Sequence, residues 1–165
     1  MNWDHKIFFK INGLAGKNKF LDNFSSFGGR WMIFIMAGCF ALSIFWNIAE
    51  TIQSFIYFSF LPLLWLVGWL FNSLIGKIVK RKRPYLAYPD KVKSLFKPLL
   101  GEWKSLPSDH AMVSIFILAL ALPLSIKLLP FFIFMALWVS WGRVYGGVHY
   151  PGDILAGWIT SVLVM

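Results

Sequence analysis

Apolar and polar positions along this chain fall in long blocks, without the short alternation of a soluble fold. Residues 31–48 carry no charge, and Ile52 to Val79 carries only Lys77. Two further apolar blocks run from Ser108 to Lys127 and from Leu128 to Tyr145, and a shorter one reaches from Tyr150 to Met165. Blocks approaching the length of a bilayer crossing predict membrane helices. The first is predicted from about Phe27 to Ala49, followed by a tight turn at Glu50, Thr51 and Gln53. The second spans about Ile52–Val79 with a kink at Pro62. The third begins at Ser108 and ends near Lys127, with Pro123 in its last turns. The fourth covers about Leu128–Tyr145, and the fifth starts near Tyr150 and is short for a span.

Two segments depart from this pattern. In residues 2–24, Ile7, Phe8, Ile11 and Leu14 recur at roughly helical spacing among Lys6, Lys10, Lys17 and Lys19. That predicts an amphipathic helix lying on the membrane surface, or else the stub of a further membrane helix. Ile7 to Ile11 is too short for the apolar core of a cleavable signal peptide, and Lys10 interrupts it. Residues 80–107 carry four prolines and predict a long basic loop, which at that length is functional or mobile. The expected fold is all-α: one domain over 1–165, a polytopic membrane bundle of five to six helices, with no internal repeat.

Composition agrees, since 58% hydrophobic residues in 165 is too apolar for a soluble globule. The net charge of +9 is concentrated. Between Lys77 and Lys104 nine Lys or Arg residues face only Asp90 and Glu102. Such a stretch fits a cytoplasmic loop under the positive-inside rule, a patch on anionic headgroups, or a phosphate site. Nucleic acid is excluded as a partner, because the cations lie between membrane segments and not on a soluble face. Cys39 is the sole cysteine, so there is no intrachain disulfide.

Counting crossings from the N-terminus puts the Glu50 turn and Lys127 on one side. The basic loop, Ser108 and the Arg143–Asp153 segment fall on the other. Three polar pieces thereby share one membrane face: KIVKRKRP (77–84), PSDH (107–110) and RVYGGVHYPGD (143–153). His149 and Asp153 stand four apart, and Pro151 suits a first helical turn, so the carboxylate can hold one ring nitrogen and leave the other as base or nucleophile. A plain structural helix contact has the same spacing. Gly146 and Gly147 let backbone approach a ligand. The Arg143 fork suits two phosphate oxygens, though an interfacial arginine can also simply snorkel. Ser108 is a good N-cap, and a helix start offers N–H groups and a favourable dipole end to an anion beside His110. Arg83 is the best-placed cation of its cluster, because Pro84 fixes the backbone next to it.

Taken together the three pieces resemble the signature of the type 2 phosphatidic acid phosphatase family. It reads Lys, six residues, Arg-Pro; then Pro-Ser-Gly-His; then Ser-Arg, three residues, Gly-x-His, three residues, Asp. Arg83-Pro84, Pro107-Ser108-Asp109-His110, and Arg143, Gly147, His149 and Asp153 match in order. The opening FFKINGLAGKNKFLD looks, more loosely, like that of bacterial undecaprenyl-diphosphatases of this family. There are three departures. Gly76 stands where the family has lysine and Lys77 comes one place late, about 100° round a helix; Lys80 is an alternative. Asp109 replaces glycine and is expected to be tied to a cation from the 77–83 cluster or to Arg143. Gly142 replaces serine.

The resemblance implies a haloperoxidase-like helical fold and a membrane lipid phosphatase. His149 would be the nucleophile that forms a phosphohistidine, Asp153 would orient it, and His110 would protonate the leaving group and later assist water. Lys77, Arg83, Ser108 and Arg143 would hold phosphoryl oxygens. No cofactor is implied, and no carboxylate cluster suggests a metal site. The partners would be membrane lipids and a phospholipid or polyprenyl diphosphate, with undecaprenyl diphosphate the leading substrate. Phosphatidylglycerophosphate, phosphatidic acid and lipid A phosphate are the alternatives, and a non-enzymatic anionic-lipid carrier is the competing class. Positive-inside counting turns the basic loop to the cytoplasm, whereas relatives acting on polyprenyl diphosphates look outward. Cations retained for phosphate bias the count, so the site is expected on the extracytoplasmic side of the cell membrane.

Overall fold

A computed structural model describes residues 2–48, 52–98, 104–123 and 126–165. The predicted Glu50 turn lies outside the described residues. The architecture is a helix bundle: α1 (Trp3–Asn12), α2 (Lys19–Arg30), α3 (Met32–Ile48), α4 (Ile52–Val79), α5 (Pro84–Ala87), α6 (Asp109–Ala121), α7 (Leu129–Tyr145) and α8 (Pro151–Val164), with a 3-10 turn at Ile126–Leu128.

The N-terminal third is cut differently from the hydrophobic pattern. Where one surface helix was expected over 2–24, there are two. Asn2 caps α1 and Asn18 caps α2, each side chain accepting from the backbone N–H three residues on. Between them Gly16 adopts φ +75°, a turn conformation that favours glycine. The span predicted from Phe27 is broken at Trp31, where α2 and α3 meet at 54°. The helix that starts at Ser108 stops at Ala121, two residues before Pro123, which cannot donate to the helical ladder.

Two stretches, Pro62–Ala87 and Ile126–Tyr145, are long and apolar enough to cross a membrane, and the bent α2–α3 pair would make a third. The helices α6 and α8 are apolar but shorter. A 13-residue helix is about 20 Å long, less than the ~30 Å hydrocarbon core. Along α4 large side chains such as Leu63, Leu66, Leu70 and Leu74 are exposed, as a lipid-facing helix requires.

Two apolar clusters hold the bundle. One joins α3 (Met36, Phe40), α6 (Ile117, Leu120) and α7 (Phe132, Val139). The other gathers Phe8 of α1, Val92, Ala111, Val144, Tyr150 and Ile154 where α6 and α8 begin and α7 ends. Helices α2 and α7 pack backbone to backbone. A Cβ on Gly142 would lie 2.2 Å from the Gly29 nitrogen and 2.4 Å from the Ser25 carbonyl oxygen. That accounts for glycine where the family pattern has serine.

The basic loop is anchored, not free. Asn12 of α1 donates to the carbonyls of Lys93 and Tyr145 and accepts from the Lys93 N–H. The Leu95 N–H reaches Gly146, and the Ser105 N–H reaches Arg81. This bonding holds the middle of the loop against α1 and the end of α7, and ties its two ends to each other.

Candidate active site

The three polar pieces of the sequence converge on one cavity of about 400 Å³. Arg83, Asp109, His110, Arg143 and His149 line its polar end, and Ile33, Phe34, Ala37, Trp65, Trp69 and Val113 form apolar walls. Local sequence explains each placement. Ser108 caps α6, so His110 falls in its first turn. Gly147, at φ +79°, turns the chain after α7, and Pro151 starts α8, leaving His149 in the short link between them.

His149 is 1% exposed, deeper than an interfacial position. Its Nδ1 lies 2.8 Å from the carbonyl oxygen of Ser105. Its Nε2 lies 2.9 Å from Arg83 Nη1 and 3.3 Å from Arg143 Nη2. A carbonyl only accepts and a guanidinium only donates, so the ring is neutral, protonated on Nδ1, with the Nε2 lone pair turned toward the cations. Burial, then the positive charges of Arg83 and Arg143, hold its pKa well below the ordinary histidine value.

Asp153 does not line the cavity. Its Oδ2 is 3.5 Å from His149 Nδ1, farther than Ser105. The carboxylate is fully buried and accepts from Ser105 Oγ at 2.5 Å, the Tyr150 N–H at 2.8 Å and Arg81 at 2.8 Å. Arg81 also pairs with Asp4 of α1 and stacks over Tyr150 at 3.9 Å. Asp4 in turn accepts from the Gly152 N–H. Helix α1 is thus bound into the support of the histidine loop, a role its sequence did not announce.

The buried Arg143 donates through Nη1 to Gly29, and its Nε has no hydrogen-bond partner among the described residues. Asp109 is tied to a cation, but to neither expected source. Lys104, 2% exposed, holds its Oδ1 at 2.7 Å, and Asn72 donates to the same oxygen.

Two expected phosphate ligands are placed elsewhere. Lys77 is exposed on α4 and does not line the cavity, whereas Gly76 is the buried neighbour. One residue's offset on a helix is enough to turn the lysine away. Lys80 is exposed as well. Ser108 is buried as a cap and lies outside the lining, with its backbone N–H on the Asp153 carbonyl. The lining also includes Arg30, Phe96 and Lys97, which no motif flagged.

A family model described as the PAP2 superfamily matches residues 60–165. The chain is 27% identical over 169 aligned residues to the undecaprenyl-diphosphatase BcrC of Bacillus subtilis, covering 98% of this chain and 80% of that protein. It is 24% identical to the bacitracin transport permease protein BcrC of Bacillus licheniformis, over 93% of this chain and 72% of the other. Among solved structures it superposes on Aquifex aeolicus LpxE with a TM-score of 0.76 at 21% identity, covering 99% of this chain and 93% of that one. That likeness concerns the fold.

Proposed function

The chain belongs to the PAP2 superfamily, and from that premise we propose that it hydrolyses a lipid diphosphate, undecaprenyl diphosphate foremost, through a phosphohistidine on His149. It is a membrane lipid phosphatase that works without a metal ion. The observation that carries the finer reading is the neutral His149 ring, its Nδ1 on a carbonyl and its Nε2 facing two guanidinium groups.

The chemistry follows from that geometry. The terminal phosphoryl group enters the cavity at Nε2, and the donors of the two arginines pass from the nitrogen to the phosphoryl oxygens. The Nε2 lone pair forms a bond to phosphorus as the bond to the bridging oxygen breaks. The electron pair leaves with the lipid phosphate, which takes a proton from His110 as needed. The phosphorylated ring gains positive character, and Ser105 and the Asp153 carboxylate stabilise it. Water, giving its proton to His110, then attacks phosphorus, the P–N bond breaks with its electron pair returning to Nε2, and inorganic phosphate leaves. Positioning and charge supply most of the rate in such transfers. A lipid carrier would need the arginines but has no use for a histidine held in one tautomer.

The 27% identity to an undecaprenyl-diphosphatase over nearly the whole chain favours that substrate. The apolar walls suit the lipid tail. By the same resemblance the cavity faces the extracytoplasmic side. A membrane-impermeant maleimide on Lys82→Cys in a Cys39→Ala background tests this, since Lys82 is exposed at the same end. Labelling in intact cells is expected, and labelling only after lysis would reverse the orientation. The function itself is tested by phosphate release from purified protein in EDTA, with polyprenyl diphosphate, polyprenyl monophosphate, phosphatidylglycerophosphate, phosphatidic acid and lipid A. Turnover highest on the polyprenyl diphosphate and lost in His149→Asn is expected. A higher rate on another lipid would replace the substrate, and no release from any would remove the reading.

A further inference from the structure

We infer that the mouth of the cavity holds a second phosphate subsite, built from Arg30 and Lys97, which takes the inner phosphoryl group of a lipid diphosphate. It rests on the phosphatase reading above and deepens it.

Arg30 is the last residue of α2, at the 54° bend into α3. Lys97 belongs to the basic loop. Both are exposed and both line the cavity that contains His149. Other cations around the site are committed: Arg81 pairs with Asp4 and Asp153, and Lys104 with Asp109. Among the described residues neither Arg30 nor Lys97 pairs with a carboxylate.

Phe96 fixes the spacing. The Arg143 Cζ lies 5.6 Å from its ring centroid and the Arg30 Cζ 5.9 Å. The two guanidinium carbons therefore cannot be farther apart than those two distances together. Two phosphoryl groups joined by one oxygen, each held at hydrogen-bond distance by its own guanidinium, span a separation of that order.

The direction of the leaving group also fits. The leaving oxygen must point away from Nε2, in line with attack. The cavity that holds His149, Arg83 and Arg143 is lined as well by Arg30 and Lys97 and by the apolar Trp31, Phe34, Ala37, Trp65 and Trp69. One cavity thus offers cations for a terminal and an inner phosphate and an apolar wall for the hydrocarbon chain. When the bridging bond breaks, its electron pair becomes charge on the inner phosphate, which Arg30 and Lys97 offset. A lipid monophosphate presents only an ester oxygen and carbon at that place.

The test compares wild type with Arg30→Met, Lys97→Met and the double variant in detergent. The substrates are a polyprenyl diphosphate and the monophosphate of the same chain, so the tail is constant. Calorimetry of methylenediphosphonate and of inorganic phosphate reads the subsite without turnover. We expect kcat/KM of the double variant to fall at least about tenfold more on the diphosphate than on the monophosphate. Methylenediphosphonate should weaken by about tenfold and phosphate by much less, with Arg30→Lys/Lys97→Arg recovering most of the loss. Equal losses on both lipids, as for cations that only grip membrane headgroups, would overturn the subsite, as would unchanged diphosphate kinetics. Absence of wild-type turnover on either lipid would count against the phosphatase reading, while methylenediphosphonate binding would still decide the subsite.

Discussion

The Nδ1 of His149 is 2.8 Å from the carbonyl of Ser105, while the hydroxyl of the same serine is 2.5 Å from Asp153. Asp153 therefore supports the nucleophile chiefly through Ser105. In a histidine–carboxylate pair where the carboxylate sets the tautomer, Asp→Asn costs about 10⁴ in kcat. Here a carbonyl sets it, and a carbonyl cannot donate. Asp153→Asn is thus expected to lower kcat by only about 10- to 100-fold, or about 1.4–2.7 kcal/mol. Ser105→Ala, which keeps the carbonyl, should cost less than about tenfold. Steady-state kinetics check both, and a loss at Asp153→Asn as complete as at His149→Asn would show that the carboxylate sets the tautomer.

The cationic surroundings of His149 predict the pH profile. Its pKa is lowered by burial and then by Arg83 and Arg143, so the neutral nucleophile persists as pH falls below the ordinary histidine value of 6.5. The acid limb of kcat/KM assigned to this group should accordingly lie below 6.5. Arg83→Met removes a positive charge that disfavours the imidazolium, so the pKa rises and the limb moves to higher pH. A limb that stays in place while the rate falls would belong to another group.

Asp109 and Lys104 form a partly buried pair, at 2.7 Å. Asp109→Asn leaves the buried ammonium short of its carboxylate and should lower stability. Lys104→Met in the same chain should recover part of it, with a coupling of about 1–3 kcal/mol. Thermal unfolding in detergent reads this cycle. Additive losses would show that the pair does not stabilise the fold. Asp109→Gly, which restores the commoner family residue, should keep activity but shift headgroup preference.

The α2–α7 contact predicts that restoring the family serine at 142 is harmful. Any Cβ there meets the backbone of Gly29 and Ser25, and the Arg143–Gly29 hydrogen bond lies next to it. Gly142→Ser should destabilise by about 1–3 kcal/mol or more, because two backbones must separate. Gly38→Ala, where a Cβ meets nothing within 4 Å, is the control. Equal melting temperatures for the two would mean that the helices part without cost.

Hydropathy made the apolar helices legible, because a span must be long and nearly uncharged. It blurred the α2–α3 bend at Trp31, because α2 is amphipathic and its last turn, from Phe27 to Gly29, runs into the apolar block of α3. Gly16 and Asn18 were the available signals for the α1–α2 break. Arg83, His110, Arg143 and His149 of the cavity stood in recognisable spacing with Ser108, whereas Arg30 stood in no motif. The Ser105 carbonyl carried no signal, since a backbone acceptor is the same in every residue. Lys104 and Arg81 stood in a crowd of cations, and only the fold distinguishes those that pair from those that face solvent. Lys77 is the converse case, a lysine of the right type turned aside by one residue.

The most direct measurement is of the covalent intermediate. Rapid mixing of the enzyme with polyprenyl diphosphate carrying ³²P in its terminal phosphate, followed by alkaline quench, should leave label on the protein. The label should be stable to base and released by acid, as a phosphorus–nitrogen bond is. It should map to the peptide containing His149 and be absent from His149→Asn. Turnover without such label in the wild type, or label persisting in His149→Asn, would contradict the account.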